Sequence, residues 1–278
     1  MNEATLASIG PGISAALAED VGAGDLTASL IDADAVVGAQ IIARESLVVC
    51  GEVWVDEVFR QLDENIVVDW YIGDGGRAET DDIICKLVGP ARALLTGERT
   101  ALNFLQTLSG TATLARRYAD AVEGIPVRIL DTRKTLPGLR VAQKYAVRAG
   151  GCHNHRVGLY DGILIKENHI AAAGSIGAAI QRVREENPGM PVEIEVENEA
   201  EVIAALDAAA DRLLLDNFSL AELRQAVERV AGRASLEASG GVTLDNIRDI
   251  AVTGVDFISV GALTKDVKAT DYSMIFSL

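Results

Sequence analysis

Residues 150–156, GGCHNHR, hold two of the chain's three histidines and one of its three cysteines, with an arginine directly behind. Cys152, His153 and His155 are zinc-ligand types, but structural zinc sites add a distant second pair to the first. Cys50, Cys85 and His169 stand alone. Two readings remain: a Gly-rich turn whose histidines are merely polar, or an anion site, because Arg156 follows His155. A second stretch, VEIEVE at 192–197, puts Glu193, Glu195 and Glu197 on one face of a strand and Val192, Ile194 and Val196 on the other. Parallel strands are buried on both faces, so such carboxylates need cations or a metal to meet them. Lys166 and a divalent cation are the natural partners. The alternative is an edge strand with a solvated Glu row. Glu195 and Asp216 offer hard oxygens, which suit magnesium or manganese held with a substrate phosphate. ASGGVTLDNI supplies Ser239, Gly240 and Gly241 before a helix start near Thr243, and SVGALT supplies Gly261 and Ala262. Both suit a phosphate through backbone N–H groups, although either Gly pair alone is more often just a turn.

These residues need a frame. From about Pro126 onward short β-branched runs alternate with amphipathic stretches: VRILD, DGILIK, VEIEVE, RLLLD, SLEAS and DFISV. That alternation predicts parallel βα units. Six units fall short of the eight of a full barrel, so an incomplete, open α/β barrel is expected over 109–266, with an open doubly wound sheet as the alternative. Residues 1–108 read as a smaller α+β sandwich domain, with strands in AVVGAQIIARES, ENIVVDWYI and DDIICKLVGPARALL and a helix in WVDEVFRQL. The tail 267–278 is expected to return to it, and a long helix within 96–122 to join the two. The polar residues fall at the C-terminal ends of the barrel runs, where parallel α/β folds build their sites.

The chain has 278 residues, 49% of them apolar, and a net charge of −16. An acidic chain is a poor partner for nucleic acid or an anionic membrane. Its start lacks a basic region followed by an apolar block, and no run reaches spanning length. Three scattered cysteines fit a reducing cytoplasm. Against that acidity, the segment from Asp131 to His169 carries seven basic residues and three acidic ones. A basic island in an acidic protein suggests a pocket for a small polyanion. The plainer reading is a helix with a solvated basic face, since Arg140, Lys144 and Arg148 recur every four residues.

DTRKTLPGLR, GGCHNHRVGLYDGILIKENHI, EIEVE, LLLDN and EASGGV, with EDVGAGDLTA and GERTALNFLQTLSGTAT upstream, resemble quinolinate phosphoribosyltransferase, in order from Glu19 to about Thr264. The resemblance implies transfer of phosphoribosyl from phosphoribosyl pyrophosphate to quinolinate. The products are nicotinate mononucleotide, pyrophosphate and CO2, a step of NAD synthesis that uses Mg2+. It also implies that Arg133, His155, Arg156 and Lys166 line the quinolinate pocket, with Lys134 beside them and near the pyrophosphoryl substrate. Glu195 and Asp216 are expected at the ribose hydroxyls and the metal, so the catalytic groups are expected to be Lys134, Lys166, Glu195 and Asp216. The Ser239–Gly241 and Gly261–Ala262 loops are expected to bind the 5-phosphate. Arg99 would enter from the neighbouring subunit of a homodimer, or of a hexamer of dimers. Departures are small: Leu136, Glu167 and Ala238 stand where Thr, Asp and Ser are common. Two rivals are a Schiff-base lyase using Lys166 and a non-catalytic relative of the molybdate-transport type.

Overall fold

The computed structural model describes residues 3–277. In chain order the elements are α1 (Glu3–Val21), β1 (Val36–Ala43), β2 (Leu47–Val48), α2 (Glu52–Leu62), β3 (Val67–Trp70), β4 (Arg77–Ala78), β5 (Ile83–Pro90) and α3 (Ala91–Ala121). There follow β6 (Arg128–Leu130), α4 (Arg140–Ala149), β7 (Ile163–Ile165), α5 (Glu167–Ala173), α6 (Ile176–Glu186), β8 (Val192–Val196) and α7 (Glu199–Asp207). The last are β9 (Arg212–Asp216), α8 (Leu220–Val230), β10 (Ser235–Ser239), α9 (Ile247–Ala251), β11 (Phe257–Ser259), α10 (Ala262–Lys265) and β12 (Tyr272–Ser277). They form two compact units. One takes the chain through Arg116, Leu136–Gly151 and everything from Asp266, and the other takes Arg117–Thr135 and Cys152–Lys265.

In the first unit an antiparallel sheet of order β12-β1-β5-β3 covers a core that includes Ile13, Ile41, Trp54, Leu87, Leu102 and Leu105. Helix α1 is absent from the sequence reading. Pro11 lies inside it, flanked by Gly10 and Gly12, and all three weaken a helix. Burial of Ile9, Ile13 and Leu17, four residues apart, compensates. Helix α4 lies in the segment given to the barrel from sequence, yet its Ala142 and Ala146 belong to the first unit's core. Tyr145 packs its ring 5.4 Å from that of Trp54 and donates its hydroxyl to Asp74 at 2.6 Å. Asp74 also accepts the Gly51 and Glu52 N–H groups, so a turn residue caps α2, whose own N-cap glycine has no side chain to do so. Nor is the basic face of α4 solvated throughout, because Lys144 is buried.

Close packing in this unit gives a stability test. A Cβ on Gly110, within α3, would sit 2.1 Å from the Lys268 carbonyl oxygen. Backbone cannot yield as a side-chain end does, so Gly110→Ala is expected to destabilise by about 2–3 kcal/mol. That lowers the melting temperature by roughly 4–12 °C. An unchanged calorimetric melting temperature would contradict this packing.

In the second unit six parallel strands run β6-β11-β10-β9-β8-β7. All six expected runs are strands. From β7 to β11 each strand pairs with its successor, without the reversal of order that defines a doubly wound sheet. The sheet is the open, incomplete barrel: β6 joins β11, and β6 and β7 stay at opposite edges. Strand β8 lies between β7 and β9, so it is not an edge strand, and its apolar Val192, Ile194 and Val196 are fully buried.

Candidate active site

Each barrel strand delivers a short polar tail at its C-terminal end, and the structure gathers these tails around a cavity of about 430 Å3. Arg133, Lys134, His155, Arg156 and Lys166 line it from the β6, HNHR and β7 loops. Glu195, Asp216 and Ser239 line it from β8, β9 and β10. A larger cavity of about 630 Å3 lies beside α1 and α2 in the first unit. Its charged groups include the Glu57–Arg60 ion pair, so size alone does not find the site; convergent cations do.

Local bonds fix the two cationic loops. After β6, Thr132 accepts the Lys134 N–H and Thr264 donates its hydroxyl to the Lys134 carbonyl. Asp131, fully buried, accepts the Asn154 amide at 2.6 Å and the His155 N–H at 2.9 Å. Arg156 donates to the Gly162 carbonyl, and Asp161 accepts the Val157 and Gly158 N–H groups. The HNHR segment is therefore an ordered turn and part of a cation-lined cavity at once. His153 serves through its backbone, bridging to the β6 edge at Leu130.

Lys166 is ion-paired with Glu195, as the sequence suggested. Glu193 faces the same interior and is buried, whereas Glu197 lies beyond the strand and is exposed. His155 Nε2 is 3.0 Å from Glu193 and 3.7 Å from Glu237, and Arg212 reaches Glu237 at 3.3 Å. Among the described residues, His155, Glu193 and Glu237 form the only such group close enough to share a metal, and Cys152 and His153 take no part. The His155 Nδ1 accepts the Arg156 N–H at 2.7 Å. That assigns the ring proton to Nε2, whose lone pair a metal would need. The group is better read as a buried proton-sharing network.

The phosphate loops differ in one respect from expectation. Gly240 and Gly241 both take positive φ, and a Cβ at Gly240 would strike Asn217 Oδ1 at 2.1 Å, so LLLDN packs directly on SGG. However, the helix begins at Ile247 rather than near Thr243, and the Thr243 N–H is bonded to Asn246. Any anion here meets the glycine loop, not a helix end at Thr243. Gly261 packs against the Lys134 side chain, 3.4 Å from where its Cβ would stand, and Ala262 opens α10. Arg99 is exposed on α3 of the first unit.

Comparison with known proteins settles the family. The family models described as quinolinate phosphoribosyl transferase, N-terminal and C-terminal domains, match residues 25–109 and 111–275. The chain belongs to the quinolinate phosphoribosyltransferase family. A Mycobacterium leprae nicotinate-nucleotide pyrophosphorylase (carboxylating) is 43% identical over 272 residues, 94% of this chain and 95% of that one. The nicotinate-nucleotide pyrophosphorylase structure from Francisella tularensis superposes with a TM-score of 0.93 at 44% identity, covering 98% and 96% of the two chains. NadC from Streptococcus pyogenes gives 0.96 at 37% identity, covering 100% and 99%.

For this quinolinate phosphoribosyltransferase family member, the sequence reading overlooked Glu237 and Arg212. A signal existed: in SLEAS, Glu237 alternates with buried Leu236 and Ala238 just as glutamates alternate with valines in VEIEVE. Burial and then the Glu193 charge push the Glu237 carboxyl up to about 7, while His155, Ser259 and Arg212 hold it back. Burial opposes a charge on His155, but the Glu193 bond and the Glu193 and Glu237 charges outweigh it and raise its pKa. Both groups bind a proton more tightly folded than unfolded. Glu237's contribution is full below its ordinary 4.5 and is lost as pH climbs through about 7. The melting temperature should thus fall as pH rises from about 4.5 through about 7. Glu237→Gln, an isostere of the protonated acid, should show a shallower fall. Parallel wild-type and variant profiles would refute the assignment.

Proposed function

We propose that this chain transfers phosphoribosyl from phosphoribosyl pyrophosphate to quinolinate with decarboxylation, yielding nicotinate mononucleotide, pyrophosphate and CO2 in de novo NAD synthesis. The observation that carries the reading is five basic side chains and three carboxylates around one cavity in a member of this family. Arg133, Arg156 and Lys166 neutralise the quinolinate carboxylates, arginine in a bidentate manner, and His155 lines the same pocket. Lys134 and the Ser239–Gly241 and Gly261–Ala262 loops take the phosphates.

The C1–pyrophosphate bond breaks with its electron pair on the leaving oxygen, and positive charge develops at the ribose carbon. Glu195 and Asp216 stabilise that charge. The pyridine nitrogen bonds to the carbon. The resulting pyridinium accepts the electron pair left when the C2–carboxylate bond breaks, CO2 departs, and a proton takes its place. Hard carboxylate oxygens at Glu195 and Asp216 fit Mg2+, and that ion would supply charge neutralisation for the leaving pyrophosphate. The further parts of the reading are a cytoplasmic homodimer, or a hexamer of dimers, with Arg99 acting in the neighbouring subunit's site. Among the described residues no helix is long and apolar enough to cross a membrane.

A Schiff-base lysine needs a desolvating apolar pocket or a cationic neighbour that discharges it. Lys166 instead meets Glu195 and is partly exposed, and the HNHR and IKENH charges that a non-catalytic relative would lose are intact. The test is an end-point assay with quinolinate labelled in its 2-carboxyl group. Label released as CO2 only with phosphoribosyl pyrophosphate and Mg2+ present, matched by nicotinate mononucleotide, is the expected result. No release from folded protein would overturn the reading.

A further inference from the structure

The cavity has two cationic arms, Thr132–Lys134 and His155–Arg156, that come from chain segments about twenty residues apart. One buried carboxylate joins them. Asp131 is 0% exposed and leads directly into Thr132–Lys134. One of its oxygens accepts the Asn154 side-chain N–H at 2.6 Å, and the other accepts the His155 backbone N–H at 2.9 Å. Its own N–H donates to the His153 carbonyl at 3.0 Å. A carboxylate in a fully dry position is costly unless both oxygens are bonded, so these bonds fix the HNHR turn against the end of β6 rather than merely decorating it. His155 in turn accepts the Arg156 N–H, so the register set at Asp131 passes to the Arg156 guanidinium.

Resting on the quinolinate reading, we propose that Asp131 and Asn154 are a positioning pair that sets the spacing of the two arms, and so selects a ligand with two adjacent carboxylates over one with a single carboxylate. Neither residue touches substrate. A dicarboxylate engages both arms together and needs them at a fixed separation. A monocarboxylate fills one arm and is indifferent to the other. Loss of the pair therefore weakens quinolinate binding while chemistry, once the substrate is bound, proceeds on unchanged groups.

The swap of the two residues gives a specific test. In Asp131→Asn the amide that replaces the carboxylate cannot accept both bonds, and one of them becomes a donor–donor clash. In Asp131→Asn/Asn154→Asp the carboxylate moves across to the HNHR turn. The amide now on the β6 side donates to it, and the oxygen of that amide still accepts the His155 N–H. With the wild-type enzyme turning over quinolinate, Asp131→Asn is expected to raise KM for quinolinate about 30-fold, which is about 2 kcal/mol. The kcat should change less than about fivefold and the inhibition constant of nicotinate less than about threefold. The swapped double variant should recover most of the KM loss. Asn154→Ala, which removes one bond only, covers the case in which Asp131→Asn does not fold, and should show the same split at smaller size. Unchanged quinolinate KM in folded Asp131→Asn or Asn154→Ala would overturn the proposal. So would equal weakening of quinolinate and nicotinate, or a swap that restores nothing. Absence of turnover by wild-type enzyme would instead strike the functional reading.

Discussion

Lys166→Ala is expected to lower kcat/KM for quinolinate by on the order of 100- to 1000-fold, because truncating one partner of a charge pair in such a site costs about 3–4 kcal/mol. Two losses combine. The cavity forfeits one of its five basic side chains, and Glu195, only 13% exposed, is left without its cation. Steady-state release of labelled CO2 measures the first directly. Lys166→Arg should recover only part, since a planar fork does not reproduce a point charge. Activity within about fivefold of wild type in Lys166→Ala would remove Lys166 from the catalytic set. Borohydride with a carbonyl substrate gives an independent reading, and a trapped lysine adduct would favour the lyase instead.

Arg99→Ala and Arg133→Ala are each expected to be nearly inactive, and mixing them to restore activity. In a dimer whose sites are shared between subunits, random exchange makes hybrids with one complete site, so recovery approaches about a quarter of wild type. No recovery, with exchange confirmed by mass, would place Arg99 in the site of its own chain. The same mixture separates a role in the site from a role in folding, because a misfolded subunit rescues nothing.

How much of this was legible in the sequence depends on what each signal reports. The six barrel strands were readable because short runs such as RLLLD and SLEAS, each ending in a polar residue, alternate with amphipathic stretches along the chain. The gathering of Arg133, Lys166, Glu195 and Asp216 followed from the rule that parallel strands present their C-terminal ends together, whereas His155, in the HNHR turn, was placed only by the family resemblance. What escaped was set by tertiary partners. Helix α1 forms despite Pro11 because Ile13 and Leu17 find a core. Helix α4 left the barrel because Tyr145 meets Asp74 and Trp54. Thr243 is no helix start because Asn246 bonds its N–H first. Glu237 was passed over because a single charge within an apolar run reads as an exception until Arg212 and His155 are seen around it.

The barrel's open seam leaves β6 with an outer edge that, among the described residues, no strand covers. An uncovered strand edge is a template for a second chain, and sheets that keep one guard it. Here the guard is the HNHR turn itself: the His153 N–H donates to the Ile129 carbonyl, and the His153 carbonyl accepts from Asp131. The turn that carries His155 and Arg156 to the cavity thus also shields the β6 edge from edge-to-edge self-association. Substitutions that loosen the turn carry a colloidal cost beside the catalytic one. Selection on solubility and selection on activity act on a single loop.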